Sequence, residues 1–171
     1  MKTITLVVAF FCIITTGNAR APQRPGVEIG PKANLYIGDN VRVGFGSEIL
    51  FNPMRGFSIR TEIVELSFGD DLFMENNTLF KLNYGSALDG LIYIPMRNIL
   101  PYIHVGMGFS TMEDWTQLSI RAGVGFNYSL RKNMDIFVEP GLIIYNSSIA
   151  SYDDTDVVFR LSFGGRFGLV R

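Results

Sequence analysis

Apolar and polar residues alternate along most of this chain with a period of two. Leu118, Ile120, Ala122, Val124, Phe126, Tyr128 and Leu130 hold one parity; Ser119, Arg121, Gly123, Gly125, Asn127 and Ser129 hold the other. A period of two belongs to a β-strand with unlike faces, and no convincing 3.6-residue stripe competes with it beyond the first residues. The pattern predicts eight strands, near Val27–Ile37, Val41–Phe51, Phe57–Phe68, Thr78–Ile94, Ile99–Phe109, Gln117–Leu130, Met134–Tyr145 and Asp156–Leu169.

The connections fall into two kinds that take turns. Asn52–Gly56, Pro95–Asn98 and Arg131–Asn133 are tight, rich in turn-forming Asn, Pro and Gly, and each carries a basic residue. Gly69–Asn77, Ser110–Thr116 and Asn146–Thr155 are longer and acidic or polar, and the short Gly38-Asp39-Asn40 is acidic too. A chain that runs up and down meets the same end at every second connection. The basic turns therefore share one end, and the acidic connections share the other.

Alternation alone does not say which face is inside, because a soluble barrel alternates as well. The glycines decide it. Gly44, Gly46, Gly85, Gly106, Gly108, Gly123, Gly125, Gly141, Gly164 and Gly168 mostly follow the polar phase, where a narrow interior needs room beside long charged side chains. The apolar phase is bulky: Ile103, Val105, Met107 and Phe109 in one strand, Phe159, Leu161, Phe163 and Phe167 in another. Eight strands enclose just enough space for side chains, so the apolar phase belongs outside, against lipid. In hydrocarbon an open sheet edge costs several kcal/mol per unpaired amide, so the sheet must close. The expected fold is all-β: a closed, antiparallel, up-and-down, eight-stranded transmembrane barrel. Phe51, Phe57 and Tyr128 would form an aromatic girdle by the tight turns, with Phe68 and Phe109 near the other end. One irregularity is expected near Glu62–Val64. Phe57, Ile59 and Thr61 face outward on odd numbers, whereas Leu66 and Phe68 do so on even ones, which takes one extra residue.

Composition agrees: 47% of the residues are hydrophobic, with 14 Phe and 18 Gly. A net charge of −1 supplies no basic footprint for nucleic acid. Lys2, the apolar run Ile4–Ile14 and the small residues Gly17-Asn18-Ala19 read as a bacterial secretory signal, residues 1–19, with residues 20–171 as the barrel domain. Cys12, the single cysteine, falls inside that signal. The exported chain would then be held by its hydrogen-bonded framework rather than by disulfides.

"ILPYIHVGMGFS" followed by "IRAGVGFNYSLRKNMDIFVEPGLIIY" resembles the second half of small outer-membrane β-barrel proteins, the OmpA-type transmembrane and opacity-like group often called porin-family proteins. Pro101-Tyr102, the pairs Gly106/Gly108 and Gly123/Gly125, Asn127-Tyr128 and the basic turn before Met134 carry the resemblance. It implies an eight-stranded barrel in the outer membrane of a Gram-negative cell, with termini in the periplasm and loops at the cell surface. Such proteins usually end in an aromatic residue, and here Phe167 stands four residues before the end.

Candidate chemistry is sparse. His104 is the single histidine and takes the inward parity. Ser110, the nearest inward serine of its strand, lies six residues away, ~20 Å at ~3.3–3.4 Å per residue, too far for a nucleophile–base pair. Counting across the hairpins sets His104 beside Asp89, Tyr93, Arg121 and Gly123, as a lumen residue. No spacing of ligands points to zinc or calcium, and no cofactor is expected. On inward parity stand Lys32, Arg42, Arg60, Lys81, Arg121, Arg160 and Arg166 against Glu28, Glu48, Glu62, Asp89, Asp135 and Glu139. Near-balance in so narrow a space implies pairing, centred on Glu48, Arg60, Asp89, His104, Arg121, Glu139 and Arg166. If the Asn52–Gly56 turn centres on Met54, Glu48 falls opposite Arg60, and Glu139 should approach Arg166 or Arg121. Phe73, Met74, Trp115 and Tyr152 are apolar residues in the acidic connections, suited to a partner or to the lipid interface. The expected role is that of a non-enzymatic, monomeric structural or interaction protein of the cell surface. Its expected partners are outer-membrane lipids, including lipopolysaccharide, and a host or envelope protein. A lipid-modifying enzyme and a narrow small-solute channel are the alternatives.

Overall fold

The computed structural model describes residues 24–38, 41–69, 81–82, 86–96, 99–112, 115–131, 133–149 and 152–170. The expected signal segment, Phe73 and Met74 lie outside them. The strands are β1 (Val27–Ile37), β2 (Val41–Met54), β3 (Phe57–Gly69), β4 (Lys81–Leu82), β5 (Ser86–Tyr93), β6 (Ile99–Met112), β7 (Trp115–Arg131), β8 (Met134–Ile149) and β9 (Tyr152–Val170). β4 and β5 both pair with β3, at Leu66–Ser67 and at Phe57–Glu62, and together make one of eight staves. Every pairing is antiparallel, and β9 returns to β1 to close the barrel.

The register fixes the shape of this barrel. Val27 pairs with Phe51, Phe51 with Ile59, Ile59 with Gly90 and Gly90 with Val105. Val105 pairs with Ala122, Ala122 with Leu142, Leu142 with Phe159, and Phe159 with Ile37. The circuit comes back to β1 ten residues further along (37 − 27 = 10). Ten residues at ~3.3 Å against eight spacings of ~4.8 Å set a strand tilt of about 40° and a backbone radius of about 8 Å. Such an interior holds side chains and little else.

The whole circuit just traced lies on the outer wall. One residue along each strand runs an inner line: Glu28, Leu50, Arg60, Asp89, Gly106, Arg121, Ile143 and Val158. Burial follows this division, with Val105 58% exposed on the wall and Arg60 and Glu139 both at 0% inside. Exposed large hydrophobics and buried charges invert the distribution of a water-soluble protein, so the wall faces lipid. Phe51, Tyr128 and Phe167 are exposed near the tight turns, as an interfacial girdle requires.

The anticipated phase change is present. Ser47 pairs with Val64 but Glu48 with Glu62, so Ile63 is the extra residue. Ile59 and Leu66 consequently both face outward, while Arg60 and Glu65 both turn in. Two other expectations need correction. β6 and β7 stay paired to Met112 and Trp115, and β8 and β9 to Ile149 and Tyr152, so most of both expected loops is ladder. A strand that has left the hydrocarbon needs no apolar face, so the alternation in sequence fades while the ladder continues. The β2–β3 hairpin turns at Arg55-Gly56, with Met54 opposite Phe57, and not around Met54. Gly56, at φ 113°, takes the left-handed backbone that this two-residue connection needs.

Candidate functional site: a filled, ion-paired lumen

All seven residues of the expected charge cluster lie in the lumen and are buried. Glu139, on β8, is the hub. Arg60 Nη1 donates to its Oε2 at 2.6 Å, Tyr102 OH to the same oxygen at 2.7 Å, and Arg160 Nη2 to Oε1 at 2.9 Å. His104 Nε2 lies 3.4 Å from Oε1. Arg60 reaches from β3 across the barrel and also grips Asp89, through Nε at 2.8 Å and Nη2 at 2.5 Å.

Toward the turn end, Arg166 Nε donates to Glu48 at 2.6 Å, its Nη1 to Asn127 at 2.7 Å and its Nη2 to Tyr102 OH at 3.2 Å. Its guanidinium also stacks on Phe137, 4.1 Å from the ring centroid. Toward the other end, Glu62 takes Lys32, Arg121 at 2.8 Å and Arg160 at 3.0 Å. Glu65 then accepts from Tyr36 OH at 2.7 Å and from Asn34. Apolar clusters flank this column: Leu50, Leu91, Tyr93, Leu100 and Tyr102 at the turn end, and Tyr36, Ile143 and Val158 at the other.

The glycines make this packing possible. A Cβ at Gly106 would overlap Asp89, one at Gly125 the ring of Tyr102, and one at Gly44 the carboxylate of Glu65. His104 is wedged where a Cβ on Gly123 or Gly141 would meet its Nε2. Each long side chain thus occupies the space that a neighbouring strand leaves empty.

Two expected pairings are redrawn. Because the turn lies later than Met54, Glu48 sits opposite Glu62 and Arg60 opposite Leu50. Glu48 still meets Arg60, but diagonally and at 3.4 Å, and its closer partner is Arg166. Glu139 pairs with Arg60 and Arg160 rather than with Arg166 or Arg121. Counting along hairpins finds neighbours on adjacent strands, as Arg160 is of Glu139, whereas Arg60 on β3 reaches Glu139 on β8 across the lumen.

The count of inward charges by parity leaves out two lumen residues. Glu65 was hidden behind the phase change at Ile63, although that change itself was the signal for it. Arg24 lies in the aperiodic lead before β1, yet pairs with Glu28 at 2.7 Å. Trp115 and Tyr152 sit at the ends of β7 and β9, with side chains outside the described set. Among the described residues, no group of three or more His, Cys, Asp or Glu could hold a metal ion.

The inverted faces, the closed register and the filled lumen define an eight-stranded transmembrane β-barrel. Solved structures with this fold include Neisserial surface protein A, with a TM-score of 0.56 and 9% identity over 84% of this chain and 96% of that one. The N-terminal β-barrel domain of Pseudomonas aeruginosa OprF gives 0.51 and 14% identity, over 84% and 98%. At such identities the likeness is one of fold. No family model matches the chain, and no curated protein matches it.

Proposed function

We propose that this protein is a non-conducting barrel of the bacterial outer membrane, exported by an N-terminal signal cleaved near Ala19. It acts as a structural and interaction protein of the cell surface. The observation that carries this reading is the column of ion pairs from Lys32 and Glu62, through Glu139 and Arg60, to Arg166 and Glu48. Side chains tied across the lumen in this way leave no continuous water path, which supports a plug over a pore. His104 is wedged against the hub carboxylate rather than beside a nucleophile, which supports a structural role for it over catalysis.

With the lumen closed, function falls to the surfaces. The wall meets outer-membrane lipid, lipopolysaccharide included, and the projecting acidic hairpins meet a host or envelope protein. Planar-bilayer recordings of the folded chain test the plug: no steady current is expected, and stepwise conductance of the wild type would overturn it. A binding screen against envelope and host surface proteins, with the β8–β9 tip trimmed in parallel, tests the interaction role. Capture that ignores the trimming would count against it.

A further inference from the structure

The segment before β1 folds into the barrel at the turn end. Arg24 Nε donates to Glu28 Oε1 at 2.9 Å and Nη2 to Oε2 at 2.7 Å, a two-pronged grip on one carboxylate. Asp135 lies 3.5 Å from the same Nη2, and the guanidinium carbon sits 4.4 Å from the centroid of the Tyr93 ring. Asn52 secures both parts: its Nδ2 donates to the Pro25 carbonyl at 2.6 Å and to Glu28 at 2.8 Å, and its backbone N–H to the Gly26 carbonyl at 2.9 Å. Ser58 in turn donates to Asn52 Oδ1, fixing the amide. Pro25 lies so close to Gly168 that a Cβ there would overlap its ring.

A forked carboxylate, a second acid and an aromatic face are the elements that recognise a planar guanidinium rather than a spherical ammonium. These three groups come from β1, β8 and β5, with Asn52 of β2 steadying Glu28, whereas the cation comes from a short strap attached to β1. Arg24 is the cation with which both Glu28 and Asp135 pair among the described residues. The seat is built by the strands of the barrel, whereas its occupant lies outside them.

We propose that the turn-end mouth is a guanidinium-binding pocket that the chain closes with its own Arg24, and that an arginine side chain from another molecule takes this seat when the strap leaves it. Strap and ligand then exclude each other, and the strap's occupancy sets the apparent affinity for the ligand.

The test uses the full chain folded in detergent micelles and the peptide acetyl-Arg-Pro-amide, followed by amide shifts of Asn52 and Gly26. Arg24→Ala should bind the peptide about tenfold or more tightly than the wild type, because the competing strap no longer fills the seat. Acetyl-Lys-Pro-amide should bind this variant more weakly than the Arg peptide, and Glu28→Gln in the same background should abolish binding. Gly168→Ala, whose Cβ would displace Pro25, should show the same gain and serves alone if Arg24→Ala fails to fold. Equal binding to wild type and both variants would overturn the proposal, as would Arg and Lys peptides that bind alike.

Discussion

The two faces of the same strands obey different rules. On the wall, Val105, Leu142 and Phe163 are more than half exposed and meet a solvent without fixed positions. Such residues need only be apolar. Inside, Glu139 is fully buried and touches Arg60, Tyr102, Arg160 and His104, each at its own angle. A wall position is thus specified by a class of residue, and a lumen position by one side chain and its partners. Stability should therefore respond to substitution in opposite ways on neighbouring positions of one strand.

The largest effect is expected at the hub. Glu139→Ala strips a carboxylate from Arg60 and Arg160 and leaves the Tyr102 hydroxyl without its acceptor. Removing one member of a buried ion pair costs roughly 3–5 kcal/mol, and urea unfolding in detergent or lipid vesicles should read a loss of that size. Glu139→Gln keeps the shape and part of the hydrogen bonding, and should lose less. A loss under about 1 kcal/mol for the alanine variant would mean that water screens the lumen, and the contrast with the wall would fail.

On the wall, the character of the new residue should matter more than its shape. Val105 lies at the middle of β6, on the lipid side. Val105→Arg should destabilise by about 2–4 kcal/mol, the cost of a cation near the bilayer midplane. Val105→Leu should stay within about 0.5 kcal/mol, as exposed substitutions away from special features usually do. If the leucine variant cost as much as the arginine one, the wall would be packed against something more specific than lipid tails.

This contrast also explains what could be read in advance. The wall, the phase change at Ile63 and most of the membership of the lumen follow from parity, which is local information. Cross-lumen pairing is not local. Arg60 on β3 meets Glu139 on β8 because the stagger brings them to one height and both side chains are long enough to meet there. The Glu48–Arg60 register is off by two residues, because the chain turns at Arg55-Gly56 and the ladder shifts again between Phe51 and Met54. Arg24 escaped notice because a strap of three residues has no period to read. The ends of the β6–β7 and β8–β9 hairpins escaped because alternation reports unlike surroundings, and a ladder needs no alternation once it has left the membrane.

The smallest expected effect separates partners within the lumen. Glu48 stands between two guanidinium groups, with Arg166 Nε at 2.6 Å and Arg60 Nη1 at 3.4 Å. Arg60 already holds Asp89 and Glu139 more closely, so the loss of Glu48 leaves it paired. Among the described residues, Glu48 is the carboxylate with which Arg166 pairs, its other contacts being neutral groups and aromatic rings. Double-mutant cycles built from Glu48→Gln, Arg166→Gln and Arg60→Gln keep side-chain volume while removing charge. Coupling of Glu48 to Arg166 should be about 1.5–3 kcal/mol, and coupling to Arg60 under about 1 kcal/mol. Equal couplings would show that the lumen responds as one diffuse pool of charge. That result would remove the distinction between a face specified by partners and a face specified by class.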